Sequence, residues 1–128
     1  MHELDNRKYR VAGLDIKPYQ SKLPKNITFY CNDLCDSDLA NEVRQRFHYV
    51  VAISTIEIVK NDRTAIENIH RLLLPDGYLL LTLSTTHWRH IDQRGYTYMQ
   101  FLSLIDGLFT IYELTQRGGH ICAALVKV

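Results

Sequence analysis

The stretch Phe47-His48-Tyr49-Val50-Val51-Ala52-Ile53-Ser54-Thr55-Ile56-Glu57 constrains this chain more than any other. As far as Ile53 it is a nearly unbroken apolar and β-branched run, the pattern of a strand buried on both faces rather than half exposed. Ser54, Thr55 and Glu57 then arrive together where such a strand ends. In open α/β sheets ligands sit beyond the carboxyl ends of the strands, so a core strand that delivers polar side chains to that end marks a candidate working site.

The rest of the composition narrows the class. At 128 residues, 46% apolar and 23% charged, the chain suffices for one domain with a core that needs neither disulfide nor metal. Its 15 basic and 14 acidic residues leave a formal charge of +1 and no Lys/Arg block, which gives no electrostatic case for nucleic acid. Cys31, Cys35 and Cys122 are odd in number and lack paired-ligand spacing, so they read as reduced thiols of a cytoplasmic protein. No apolar run approaches the ~18 residues of a membrane span. Met1 to Arg10 is too polar for a signal peptide, and a soluble protein without membrane attachment is expected.

Met1 to Lys8 reads as the remnant of a helix or a loose arm. Tyr9 to Ile16 reads as a strand ending in an acid and broken by Lys17-Pro18. Asp15 at its end is either a turn former or helix cap, or a carboxylate placed for the vicinal hydroxyls of a ribose. Ser21 to Asn26 is a loop, and Ile27 to Cys31 a second strand followed by Asn32-Asp33-Leu34. Asp36 or Ser37 caps the next segment, where Leu39, Val43 and Phe47 repeat every four residues, which predicts an amphipathic helix.

Asn61 or Asp62 caps a second helix whose stripe is Ala65, Ile66, Ile69, Leu72 and Leu73, stopped by Pro75-Asp76-Gly77. Tyr78 to Ser84 is again a strand buried on both faces, and strand, helix, strand predicts a right-handed βαβ unit with parallel strands. Thr97 to Gly107 reads as a third helix. Leu108 to Leu114 and His120 to Val128 are strands joined through Gly118-Gly119, an antiparallel hairpin.

Between them, Thr85 to Tyr96 is a polar loop after a buried strand. It holds the only tryptophan, Trp88, which either covers a ligand or closes the edge of the core. His87 and His90, three apart, lack a further ligand in register, so no metal site is expected.

In this order, the chain closely resembles the class I S-adenosylmethionine-dependent methyltransferases, from their second strand to their last, over about Tyr9 to Val128. Val11-Ala12-Gly13-Leu14-Asp15 resembles the family's second strand, whose acid holds the cofactor ribose, and Asn32-Asp33-Leu34 its adenine-contacting turn. Phe47 to Glu57 is similar to the fourth-strand motif beside the methyl-donor end. Arg71-Leu72-Leu73-Leu74-Pro75-Asp76-Gly77 is similar to the family's R-x-L-x-P-G-G turn, the most specific match. The resemblance implies a three-layer, Rossmann-like α/β fold, mostly parallel, with a C-terminal antiparallel hairpin and truncated at the N-terminus. It assigns S-adenosylmethionine to Asp15, Ile16, Asp33, Leu34, Ser54, Thr55 and Glu57, and the acceptor to His87, Trp88, Arg94 and Tyr96.

The chain departs from the family in lacking its first strand and its glycine-rich G-x-G-x-G loop, which brings backbone N–H groups against the cofactor. Ile58 stands where relatives often carry His, and Asp76 where the usual turn has Gly. In the family the missing strand lies between those of Val11 and Phe47. Either the Val11 strand moves over to pair with the Phe47 strand, or a second polypeptide fills the gap, and a homodimer through the exposed sheet edge is expected. Two functions follow from the resemblance. One is a methyltransferase acting on a small molecule, whole or as one piece of an oligomer. The other is a non-catalytic binding or assembly module that has lost the donor loop.

Overall fold

Polarity along the chain decides which segments pair and which face they bury. The computed structural model describes residues 9–18, 22–88 and 92–128. The described elements are β1 (Val11–Asp15), β2 (Ile27–Cys31), α1 (Leu39–Glu42), β3 (Phe47–Ile53), α2 (Asp62–Leu72), β4 (Leu73–Ser84), α3 (Tyr98–Ile105), β5 (Phe109–Arg117) and β6 (His120–Lys127). Met1 to Lys8, Ser21 and His90 lie outside the described residues.

The strands form two sheets. β1 and β2 pair in parallel, with Val11 opposite Ile27 and Asp15 opposite Cys31, and among the described residues β1 has no partner in the other sheet. The second sheet has the order β3-β4-β6-β5: β3 and β4 are parallel, while β6 is antiparallel to both neighbours. The expected mostly parallel sheet is therefore a mixed one, because the C-terminal hairpin inserts its second strand beside β4. Nor does the Val11 strand move over to β3, which among the described residues leaves β3 as an edge.

The core lies on one side of the four-stranded sheet. Leu79, Leu81 and Leu83 of β4 and Ile121, Ala123 and Leu125 of β6 point to that side, where Ile66 and Ile69 of α2 and Phe101 and Leu104 of α3 meet them. Asn61 caps α2 by accepting the Thr64 N–H at 3.1 Å, and Thr97 with Gln100 closes a capping box on α3. Arg63 reaches from α2 to donate to the carbonyls of Leu104 and Asp106 at 2.9 and 3.1 Å, satisfying the end of α3. A smaller cluster of Leu39, Val43 and Leu72, with Leu14, Tyr30 and Phe47 against it, ties the β1-β2 sheet to the rest.

The opposite side of the sheet is open among the described residues. Tyr49, Val51 and Ile53 are 62, 52 and 63% exposed, so β3 is not buried on both faces, and the described residues form two layers where three were expected. The first predicted helix also shrinks to Leu39–Glu42. Val43 turns extended at its end, Phe47 belongs to β3, and Arg46 donates to the carbonyls of Ala40 and Val43. No described helix is long and apolar enough to cross a membrane.

Candidate functional site

The carboxyl ends of β1 and β2 carry two exposed acids. Asp15 accepts the Lys17 N–H at 3.1 Å, and Asp33 accepts the Cys35 N–H at 2.9 Å. Each is a turn in which the side chain bonds its own backbone two residues on, which fixes where the carboxylate sits. The two turns are linked, since the Asn32 N–H donates to the Asp15 carbonyl at 3.0 Å and the Cys31 thiol to the Ile16 carbonyl at 3.5 Å. Beside Asp15 lies a hollow of about 250 Å³, lined also by Gly13, Lys17, Pro18, Leu23 and Phe29.

The turn holding Asp33 and Leu34 is fastened from below. Asn68, fully buried on α2, donates to the carbonyls of Leu34 and Asp36 at 2.7 and 2.8 Å, and Arg71 donates to the Asn68 side chain at 2.9 Å. The sequence pattern did not single out Asn68, and marked Arg71 as the first residue of the R-x-L-x-P-G-G match. The signal was present: an Asn between Ala65 and Leu72 on the apolar stripe of a helix needs buried partners.

At the end of β3, Ser54 sits in the left-handed region at φ 52° and donates its N–H to the Thr82 hydroxyl at 3.1 Å, while the Thr55 hydroxyl bonds the Ile53 carbonyl. Glu57 does not join them at the surface. It is 1% exposed, and its Oε2 accepts the Ser84 N–H at 2.9 Å. Arg94 braces the same turn by donating to the carbonyls of Val59 and Lys60 at 2.6 and 3.0 Å. Tyr96 is buried and donates to Asp62 at 2.8 Å. Burial first, then that hydrogen bond, pushes its phenol well above the usual tyrosine range.

The loop after β4 is a short hairpin. The backbones of Trp88 and Gln93 exchange N–H donors at 3.0 Å, and the Gln93 side chain donates to the Thr86 carbonyl. His87 and Trp88 are exposed on it, whereas Arg94 and Tyr96 turn inward as described. Asp15, Asp33, Ser54 and Thr55 therefore stand at strand ends. Glu57, Arg94 and Tyr96 form the scaffold beneath β3 and β4.

A family profile for the methyltransferase domain matches residues 1–81. The chain belongs to the methyltransferase domain family. Its fold is that of solved methyltransferases. The N-methyltransferase NodS of Bradyrhizobium japonicum, in complex with S-adenosyl-L-homocysteine, superposes with a TM-score of 0.69 at 14% identity, over 92% of this chain and 66% of that one. The 1,6-didemethyltoxoflavin-N1-methyltransferase of Burkholderia thailandensis gives 0.71 at 16% identity, over 94% and 62%. The glycopeptide N-methyltransferase MtfA, complexed with S-adenosyl-L-methionine, gives 0.64 at 14% identity, over 94% and 78%. The chain thus spans about two thirds of the length of the NodS and toxoflavin enzymes. No curated protein matches it in sequence.

Proposed function

We propose that this methyltransferase domain binds S-adenosylmethionine across the carboxyl ends of β1, β2 and β3 and directs its methyl group to a small-molecule acceptor. The observation that carries the reading is the pair of exposed carboxylates, Asp15 and Asp33, fixed by their own turns at the ends of adjacent parallel strands. Asp15 accepts hydrogen bonds from the two ribose hydroxyls, a role for which its exposed oxygens at a strand end suit it. Asp33 and Leu34 meet the adenine, one as acceptor and one as an apolar wall. Ser54 and Thr55 face the methionine side. None of the chain's 6 glycines forms a G-x-G-x-G loop, so the fit rests on the adenosine end.

When bound, the cofactor supplies a methyl group on a positively charged sulfur. The protein's share is alignment of acceptor and donor in line, with a base needed only for a poorly nucleophilic acceptor. Glu57 is held inside against Ser84 and does not serve as that base. His87 and Trp88, exposed on the hairpin after β4, flank the acceptor.

Isothermal titration with S-adenosylmethionine tests the reading. Saturable heat that Asp15→Ala removes, with the thermal unfolding midpoint unchanged, is the expected result. Absence of binding up to about 1 mM donor, the ~4 kcal/mol threshold of useful affinity, overturns it.

A further inference from the structure

Thr82 interrupts the leucine-rich run of β4 and lies opposite Ile53, the last residue of β3. Its side chain alternates with those of Leu81 and Leu83, so it stands on the face away from the core, and packing there does not account for it. Beyond Ile53 the chain leaves the sheet. Two threonine hydroxyls hold the peptide unit that makes this exit. The Ser54 N–H donates to Thr82 Oγ1, and Thr55 Oγ1 donates to the Ile53 carbonyl, each at 3.1 Å. Both polar groups of one peptide plane are thereby fixed, one from β4 and one from the turn itself.

The clamp coincides with backbone strain. At φ 52° Ser54 occupies the left-handed region, which a residue with a Cβ enters only at a cost. That conformation reverses the chain directly behind the strand. Thr55 then opens a turn in which its carbonyl accepts the Ile58 N–H at 3.3 Å, and Ile56 and Glu57 are buried. Rotating the peptide between Ile53 and Ser54 towards extended backbone would break both hydroxyl bonds and swing Ser54 and Thr55 away from the strand end. Thr82 is suited to oppose this, because a β-branched side chain is stiff about χ1 and its oxygen keeps one position.

We infer that Thr82 is a positioning residue for the cofactor: by holding the Ser54 backbone in its left-handed conformation it fixes where Ser54 and Thr55 meet the methionine part of S-adenosylmethionine. This role rests on the reading of the site proposed above. Thr82 acts through the backbone of its neighbour, and the energy that keeps the strained residue in place comes from an adjacent strand rather than from the turn alone.

Isothermal titration of S-adenosylmethionine into the full chain and its variants tests this, with thermal unfolding confirming that each is folded and NMR reading the amide–Hα coupling of Ser54. Thr82→Val keeps the branched shape and removes the acceptor. It should weaken binding about tenfold and move the Ser54 coupling towards that of extended backbone. Thr82→Ser keeps the hydroxyl and should bind as the wild type does. Ser54→Gly enters the left-handed region without a Cβ penalty, so in that background Thr82→Val should cost about twofold or less. A role in packing alone would give the same loss in both backgrounds. Three results each overturn the positioning role and leave the functional reading standing: unchanged binding or coupling in Thr82→Val, a loss that Thr82→Ser shares, or equal losses with and without Ser54→Gly. A wild type that binds no S-adenosylmethionine overturns the reading and the role together.

Discussion

Glu57 and Ser84 are joined across the ends of β3 and β4, the buried carboxylate of the first accepting the backbone N–H of the second at 2.9 Å. The bond fixes the polar turn after β3 to the strand beside it, and Arg94 reinforces it by donating to carbonyls on either side of Glu57. Glu57 Oε1 has no hydrogen-bond partner among the described residues, so a single bond carries the carboxylate. Glu57→Leu would leave the Ser84 N–H buried and unmatched, and should cost about 1–3 kcal/mol. Glu57→Gln keeps an acceptor at that oxygen and should cost less. Urea unfolding of the two variants separates these outcomes.

Tyr96 gives the fold an alkaline limit. Burial and its hydrogen bond to Asp62 raise the phenol above its ordinary 10.0, with Arg94 opposing the shift. The folded state therefore holds the proton more tightly than the unfolded one. The stability linked to this group is fully present below pH 10 or so and falls as pH rises past that value, because the unfolded chain ionises first. Tyr96→Phe should flatten this decline between about pH 9 and 11 while lowering stability at pH 7 through the lost bond to Asp62. Thermal unfolding midpoints across that range check both halves.

The order of elements was legible from the apolar runs and turn residues: β2 and the glycine hairpin fall where these put them, and α2 does as far as Leu72, whereas Leu73 and the expected stop at Pro75-Asp76-Gly77 belong to β4. Two readings failed for reasons outside the local pattern. Phe47 continues the spacing of Leu39 and Val43, yet it starts β3, where pairing with Leu73 outweighs continuing the helix. The outer residues of β3 are as apolar as buried ones, and no pattern within the strand reveals whether anything covers them. At the site, Asp15 and Asp33 were visible as acids following strands. The separation of Glu57, Arg94 and Tyr96 from the surface was not, because it depends on contacts between Arg94 and a turn more than thirty residues earlier.

Gly95 holds the hairpin after β4 close to its own start. A Cβ there would lie 2.8 Å from the His87 nitrogen and 2.9 Å from the Thr85 oxygen, both backbone atoms that cannot swing aside. Gly95→Ala should therefore push the Thr85–Trp88 arm away and destabilise the chain by about 1–3 kcal/mol. Gly107→Ala is the contrast: nothing lies within 4 Å of its Cβ, and its cost comes from φ +76° alone. Hydrogen exchange should show protection lost at the Trp88 and Gln93 amides in the first variant and retained in the second.

Asn68 couples the core to the proposed nucleoside end without touching it. Its amide holds the carbonyls of Leu34 and Asp36, and Arg71 orients it by donating to its oxygen. Asn68→Leu matches the apolar stripe of α2 but takes the side-chain donor from the half-buried Leu34 carbonyl and leaves the Asp36 carbonyl with the Leu39 N–H alone, so stability should fall by about 1–3 kcal/mol. The turn carrying Asp33 should loosen with it. Because Asp15 has a separate anchor at Lys17, binding of S-adenosylmethionine should weaken by roughly tenfold, about 1.4 kcal/mol, rather than vanish. Asp15→Ala should show the reverse pattern, with binding gone and stability kept. Calorimetry and urea unfolding on the same two proteins test the division of labour, and a loss of binding in Asn68→Leu as complete as in Asp15→Ala would contradict it.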